Sequence, residues 1–199
     1  ARVDAEPELV ERKRLLVRLA RIYEEQLEDF DETLEIYARL FREDARDEEV
    51  WETLTRLAKV GGQWTRLAKT LGEPLVDNPV EDEIMARLAR YVGALYDERV
   101  GNLVKAAEFY AKALRFDPED AAAFRALESA YRRNRDHAAL LELYTEQAEL
   151  RGNDAERVEL LHRRARVQLQ DLRDNQGAVS TLREILENMP SDRAAIDGL

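Results

Sequence analysis

Cysteine is absent from the chain, which removes disulfide frameworks, thiolate nucleophiles and zinc–thiolate sites together. A reducing compartment is mildly favoured by that absence, and the cytoplasm is the expected location. Histidine is almost absent: His137 and His162 stand far apart in sequence. Eight glycines and five prolines in 199 residues disfavour turn-rich sandwiches and low-complexity tails. No apolar run approaches the roughly 20 residues that span a bilayer, so membrane insertion is not expected. No secretory leader pattern stands at the N-terminus, but the chain begins at Ala1 without Met, and a fragment of a longer protein is expected.

What is present is charge and helix-forming bulk, with 37% charged and 45% apolar residues. The net charge of -11 argues against general attraction to nucleic acid or anionic lipid. Of the 31 basic residues, 26 are arginine, a codon bias that points to a GC-rich, bacterial genome.

The chain repeats itself. A shift of about 73 residues lays Arg14-Leu15 on Arg87-Leu88, Tyr23 on Tyr96, Tyr37-Ala38 on Tyr110-Ala111, Leu54 on Leu127 and Leu67 on Leu140. A further shift of about 72 lays Ala106 on Ala178, Pro118 on Pro190 and Asp120 on Asp192. Each half of that period carries two helical stripes. Leu16, Leu19, Ala20, Tyr23 and Leu27 form one, and Leu34, Tyr37, Leu40 and Phe41 the next. Breaks fall at Gly61-Gly62, Asn78-Pro79, Gly101-Asn102, Asp117-Pro118, Gly152-Asn153 and Met189-Pro190. Eleven helices are predicted, near 8–27, 30–43, 47–60, 63–73, 81–99, 103–115, 119–132, 136–150, 154–171, 175–187 and 191–199.

Within this frame Trp51-x2-Leu54-x3-Ala58-x3-Gly62-x4-Leu67 resembles the tetratricopeptide repeat, as do Phe124-x2-Leu127-x3-Tyr131 and Ala106-x3-Tyr110-x2-Ala113-x4-Pro118. The resemblance implies an all-α, right-handed α-solenoid of about 5.5 tandem antiparallel helical hairpins in a single domain, 1–199. The hairpins are expected at 8–45, 47–78, 81–118, 119–152 and 154–190, with a partial sixth at 191–199. Small residues such as Ala20, Gly93, Ala106 and Ala165 are expected where helices approach, and Trp51, Tyr37, Tyr110 and Phe124 between hairpins. The spans Ala20–Thr33 and Gly93–Ala106 place one extra residue in the turn of the odd-numbered hairpins, and Pro74 is expected to end its helix early.

Catalytic chemistry finds little to stand on. Glu159-x2-His162 has half the spacing of a helical di-metal site and lacks the second pair, so no metal or cofactor is expected. Gly61-Gly62 has no flanking strand and is not a phosphate loop. The chain is expected not to be an enzyme.

The resemblance implies that the first helix of each hairpin lines an inner groove. The positions offset from the packing stripe are Val17/Arg21, Glu52/Arg56, Arg90/Ala94, Arg125/Ser129 and His162/Arg166; five are arginine and one is acidic. Adding the neighbouring turns brings in Arg14, Lys59, Arg87 and Arg132 against Glu24, Glu49, Asp97 and Glu159. The candidate partner-binding residues are therefore Arg14, Arg21, Arg56, Arg87, Arg90, Arg125, Arg132, His162 and Arg166. Arginine's planar fork suits carboxylates, so the expected partner is an acidic or extended peptide. The plainer alternative is that these arginines pair with nearby glutamates as solvated helix surface. Two other functions stay open: a structural spacer self-associating through ends such as Ile196 and Leu199, and a regulatory arm of a larger enzyme.

Overall fold

The computed structural model describes residues 6–77, 83–151 and 154–199, which divide into two compact units, Ala1–Asp117 and Pro118–Leu199. Among the described residues every regular element is helical. The first unit contains α1 (Glu6–Glu25), α2 (Phe30–Glu43), α3 (Glu48–Gly61), α4 (Trp64–Gly72), α5 (Pro74–Asp77), α6 (Glu83–Ala94) and α7 (Leu103–Phe116). The second contains α8 (Ala121–Asn134), α9 (His137–Leu150), α10 (Asp154–Val167), α11 (Asn175–Asn188) and α12 (Arg193–Gly198). The expected breaks at Asn78-Pro79 and Gly152-Asn153 lie outside the described residues. The other eleven-helix boundaries agree to within about two residues, and α5 is an addition. Pro74 ends α4, as its missing N–H and ring clash require, and then opens one further turn as its first residue.

Seven of the described helix starts are set by a short polar side chain. Asp29, Asp47, Asn102, Asp120, Asp136, Asp174 and Asp192 accept from backbone amides two or three residues onward. Such caps satisfy donors that the first turn leaves open. The extra residue of the odd-numbered hairpins is housed in the helix rather than in the turn. α6 and α10 widen into π-helical turns at Leu95–Val100 and Gln168–Leu172. At the end of α1 the Leu27 amide reaches back to the Ile22 carbonyl at 3.3 Å, a related widening.

Packing follows chain order, as tandem hairpins require. In the first unit the principal contacts are α1–α2, α2–α3, α3–α4, α4–α6 and α6–α7; in the second they are α8–α9, α9–α10, α10–α11 and α11–α12. Leu34, Phe41, Leu54, Leu57, Leu67, Leu71 and Leu88 are buried in the first row, and Leu127, Leu140, Tyr144, Leu161 and Ile185 in the second. At about 25 cal/mol per Å2 of apolar surface removed from water, each helix depends on its neighbours for most of its stability. The small residues expected at close approaches, Ala20, Gly93, Ala106 and Ala165, are all buried.

Candidate functional site

In the first unit, α1, α3 and α6 are tied side by side through polar side chains. Lys13 on α1 pairs with Asp47 before α3, and Arg87 on α6 pairs with Glu48 on α3. Between α1 and α3, Arg56 grips Glu24 with both guanidinium nitrogens, at 2.5 and 3.0 Å. That hydrogen-bonded pairing holds the Glu24 carboxyl below its ordinary range and raises the Arg56 guanidinium.

Between α3 and α6 a crevice of about 360 Å3 opens, lined by Glu48, Trp51, Glu52, Thr55, Arg87 and Tyr91. Its floor has a defined hydrogen-bond order. Thr55 Oγ1 donates to the Trp51 carbonyl at 2.8 Å, as a threonine bonding back along its own helix does. That leaves its oxygen to accept from the Tyr91 hydroxyl, 2.9 Å away. Trp51 is half-buried, and its indole N–H has no hydrogen-bond partner among the described residues. That nitrogen is itself buried, and the rest of the Trp51 side chain lines the crevice. Trp51, Thr55 and Tyr91 were not among the sequence-derived site residues. The signal available was an aromatic on the first helix of one repeat facing another one repeat later.

The nine sequence-derived residues divide by what already holds them. In the first unit Arg56 and Arg87 are engaged by Glu24 and Glu48, and Arg90 is half-buried on α6. Arg14 is exposed on α1, 3.7 Å from Glu11, and Arg21 is exposed with no ion pair or side-chain hydrogen bond among the described residues. In the second unit Arg132 donates to the Tyr144 hydroxyl at 2.8 Å and lies 3.4 Å from Glu128. His162 meets Asp192 at 3.1 Å. Arg125 and Arg166 are exposed and, among the described residues, make no ion pair or side-chain hydrogen bond. The structure thus brings Arg56 and Arg87 onto the helices that frame the crevice, while Arg125 on α8 and Arg166 on α10 belong to the second unit.

Glu128 is the polar centre of the second unit. It accepts from Tyr144 at 2.5 Å and from Arg163 at 3.2 Å, and Arg163 also donates to Glu159 at 2.5 Å. Glu159 and His162 are thus taken up by Arg163 and Asp192. Among the described residues no cluster of three or more His, Asp or Glu side chains is arranged to hold a metal ion. Nor, among the described residues, is any helix long and apolar enough to cross a membrane.

A family profile described as tetratricopeptide repeat matches residues 123–158, which cover most of α8, all of α9 and the start of α10. Comparison with curated proteins finds no match. Among solved structures the chain is similar to YrrB, described as a TPR protein with an unusual peptide-binding site, at 10% identity over 92% of this chain and 89% of that one, with a TM-score of 0.43. It is similar to MamA of Desulfovibrio magneticus RS-1 at 16% identity over 91% of this chain and 97% of that one, TM-score 0.42. A thermophilic TPR protein of Thermus thermophilus shows 17% identity over 93% of this chain and 95% of that one, TM-score 0.37.

Proposed function

We propose that this chain, in which residues 123–158 match a tetratricopeptide repeat, is a non-catalytic scaffold that binds an extended segment of a partner protein. The observation that carries the reading is the α3–α6 crevice. Its aromatic walls, Trp51 and Tyr91, suit one apolar or aromatic anchor side chain, and its rim carries a ready-made ion pair, Glu48–Arg87. Binding sites of this kind are mostly apolar with a few fixed polar groups that set orientation.

An acidic character in the partner draws support from the arginines that have no carboxylate of their own among the described residues, Arg21 in the first unit and Arg125 and Arg166 in the second. Arg56, Arg87 and Arg132 are less suited to that task, because an incoming carboxylate must displace Glu24, Glu48 or Glu128.

Selection from a random peptide library tests both parts. The wild-type chain should enrich a peptide class with a large apolar anchor, and Trp51→Ala/Tyr91→Ala should lose it. Arg125→Glu/Arg166→Glu should lose any acidic preference. Identical enrichment by all three proteins would reject the reading. A self-assembling spacer is the alternative reading. It requires a mass that rises with loading in light scattering.

A further inference from the structure

Two parallel stripes run along α1, and the crevice uses neither. Arg14, Arg18 and Arg21 recur at i, i+4 and i+7, and Leu15, Leu19 and Ile22 repeat that spacing one residue later. On a helix such sets form adjacent ridges. All six residues are exposed, the apolar three at 59%, 42% and 38%. Arg18 and Arg21 have no ion pair or side-chain hydrogen bond among the described residues, and Arg14 has only exposed Glu11 at 3.7 Å. The opposite side of α1 is committed to the fold: Ala20 is fully buried, and Lys13 and Glu24 are tied to Asp47 and Arg56. An open hollow of about 940 Å3 runs along the arginine ridge and reaches Leu15, but not Leu19 or Ile22.

We infer that this face of α1 docks an amphipathic helix of a partner protein, its apolar stripe on Leu15, Leu19 and Ile22 and a flanking row of carboxylates on Arg14, Arg18 and Arg21. The i, i+4, i+7 spacing on both ridges is what a second helix matches, turn for turn. The cationic ridge sets the sign of the flank. An anionic bilayer is a poorer match, because Glu11 and Glu25 lie among the arginines and the chain carries a net charge of -11. A second copy of the chain offers Glu142, Glu146 and Glu149 on α9 at the required spacing. Those glutamates are flanked by Ala138 and Thr145, which leave the leucines largely uncovered.

The test uses the 199-residue chain and two labelled helical peptides of about 18 residues, each with leucines at i, i+4 and i+7 and a flanking row of either glutamates or lysines. Fluorescence anisotropy should show the glutamate peptide binding, more weakly as salt rises, and the lysine peptide failing to bind. Both Arg14→Glu/Arg18→Glu/Arg21→Glu and Leu15→Ser/Leu19→Ser/Ile22→Ser should weaken the glutamate peptide by about tenfold or more. The charge-reversed variant should gain affinity for the lysine peptide. Trp51→Ala should leave binding unchanged; a loss there would place the peptide in the crevice, overturning this inference while sparing the proposed function. Equal binding of the two peptides, or of neither, would also overturn it. So would preference for phosphatidylserine vesicles, or self-association in sedimentation that Glu142→Lys/Glu146→Lys/Glu149→Lys abolishes.

Discussion

Gly93 on α6 lies so close beneath Tyr110 on α7 that a Cβ at position 93 would stand 2.6 Å from the ring's Cδ1. The ring is itself buried, at 4% exposure, and has nowhere to retreat. Alanine inside a helix normally gains roughly 0.5–1 kcal/mol over glycine. Here the added methyl must push two packed helices apart, so Gly93→Ala should instead lose about 1–3 kcal/mol. Tyr110→Ala, which empties the same contact, should lose about 3 kcal/mol or more. Urea unfolding measures both, and a wild-type midpoint for either would contradict the close approach.

The first helices of the odd-numbered hairpins, and also α3 and α8, stop at residues in the left-handed backbone region. Glu28, Gly101 and Arg173 have φ of 53, 75 and 54°, and Gly62 and Arg135 have 67 and 57°. Side chains other than glycine are strained in that conformation, so Arg135→Gly and Arg173→Gly should each stabilise by roughly 0.5–1 kcal/mol. The greater freedom of glycine in the unfolded chain offsets part of the gain. Gly62→Ala and Gly101→Ala should move thermal stability in the opposite direction. If all four shifted the midpoint the same way, helix termination would not depend on this backbone geometry.

These stops show what could be read from the amino acids and what could not. Gly61-Gly62 and Gly101-Asn102 announced themselves by composition, whereas Glu28, Arg135 and Arg173 occupy equivalent places in the repeat frame without any local signal. The apolar period placed the helices because burial demands it at every turn. The π-helical turns at Leu95–Val100 and Gln168–Leu172 were visible only as one surplus residue, and its location depended on how neighbouring helices pack. The arginine positions were legible as charge, but not their partners. Arg56 is matched to Glu24 on another helix, a pairing fixed by packing between hairpins. Trp51 read as filler because its spacing is that of a core residue, and the crevice beside it exists only once α6 is in place.

Tyr144 is buried and donates its proton to Glu128, and burial followed by that carboxylate pushes its phenol up to about 12. A folded value above the unfolded one, near 10, means that the neutral phenol's contribution is complete below pH 10. That contribution is lost as pH rises through about 12. Tyr144→Phe should therefore lower stability at neutral pH, by about 1–2 kcal/mol for a lost hydrogen bond to a charged acceptor. It should also flatten the alkaline fall relative to wild type. Parallel pH profiles in the alkaline range would remove Tyr144 from the cause. Tyr37, Tyr96 and Tyr131 are raised as well and should leave a residual slope.

Asp192 joins two elements of the second unit, accepting from the Ala195 amide of α12 at 2.8 Å and meeting His162 of α10 at 3.1 Å. The Ala195 amide, and then His162, hold its carboxyl below the ordinary value of 3.8. A depressed folded value gives stability that is present above the unfolded value and lost as pH falls through the folded one. α12 has only six residues and depends on this cap for its first turn. Asp192→Ala should therefore cost about 1 kcal/mol and release α12 first. Asp192→Asn keeps an acceptor for the amide and should retain most of the helix while abolishing its acid sensitivity. The Ala195 amide shift, followed by NMR from neutral pH into the acid range, separates the two variants. If Asp192→Asn titrated like wild type, the acid-sensitive step would belong to another carboxylate, and the tie between α10 and α12 would rest on packing alone.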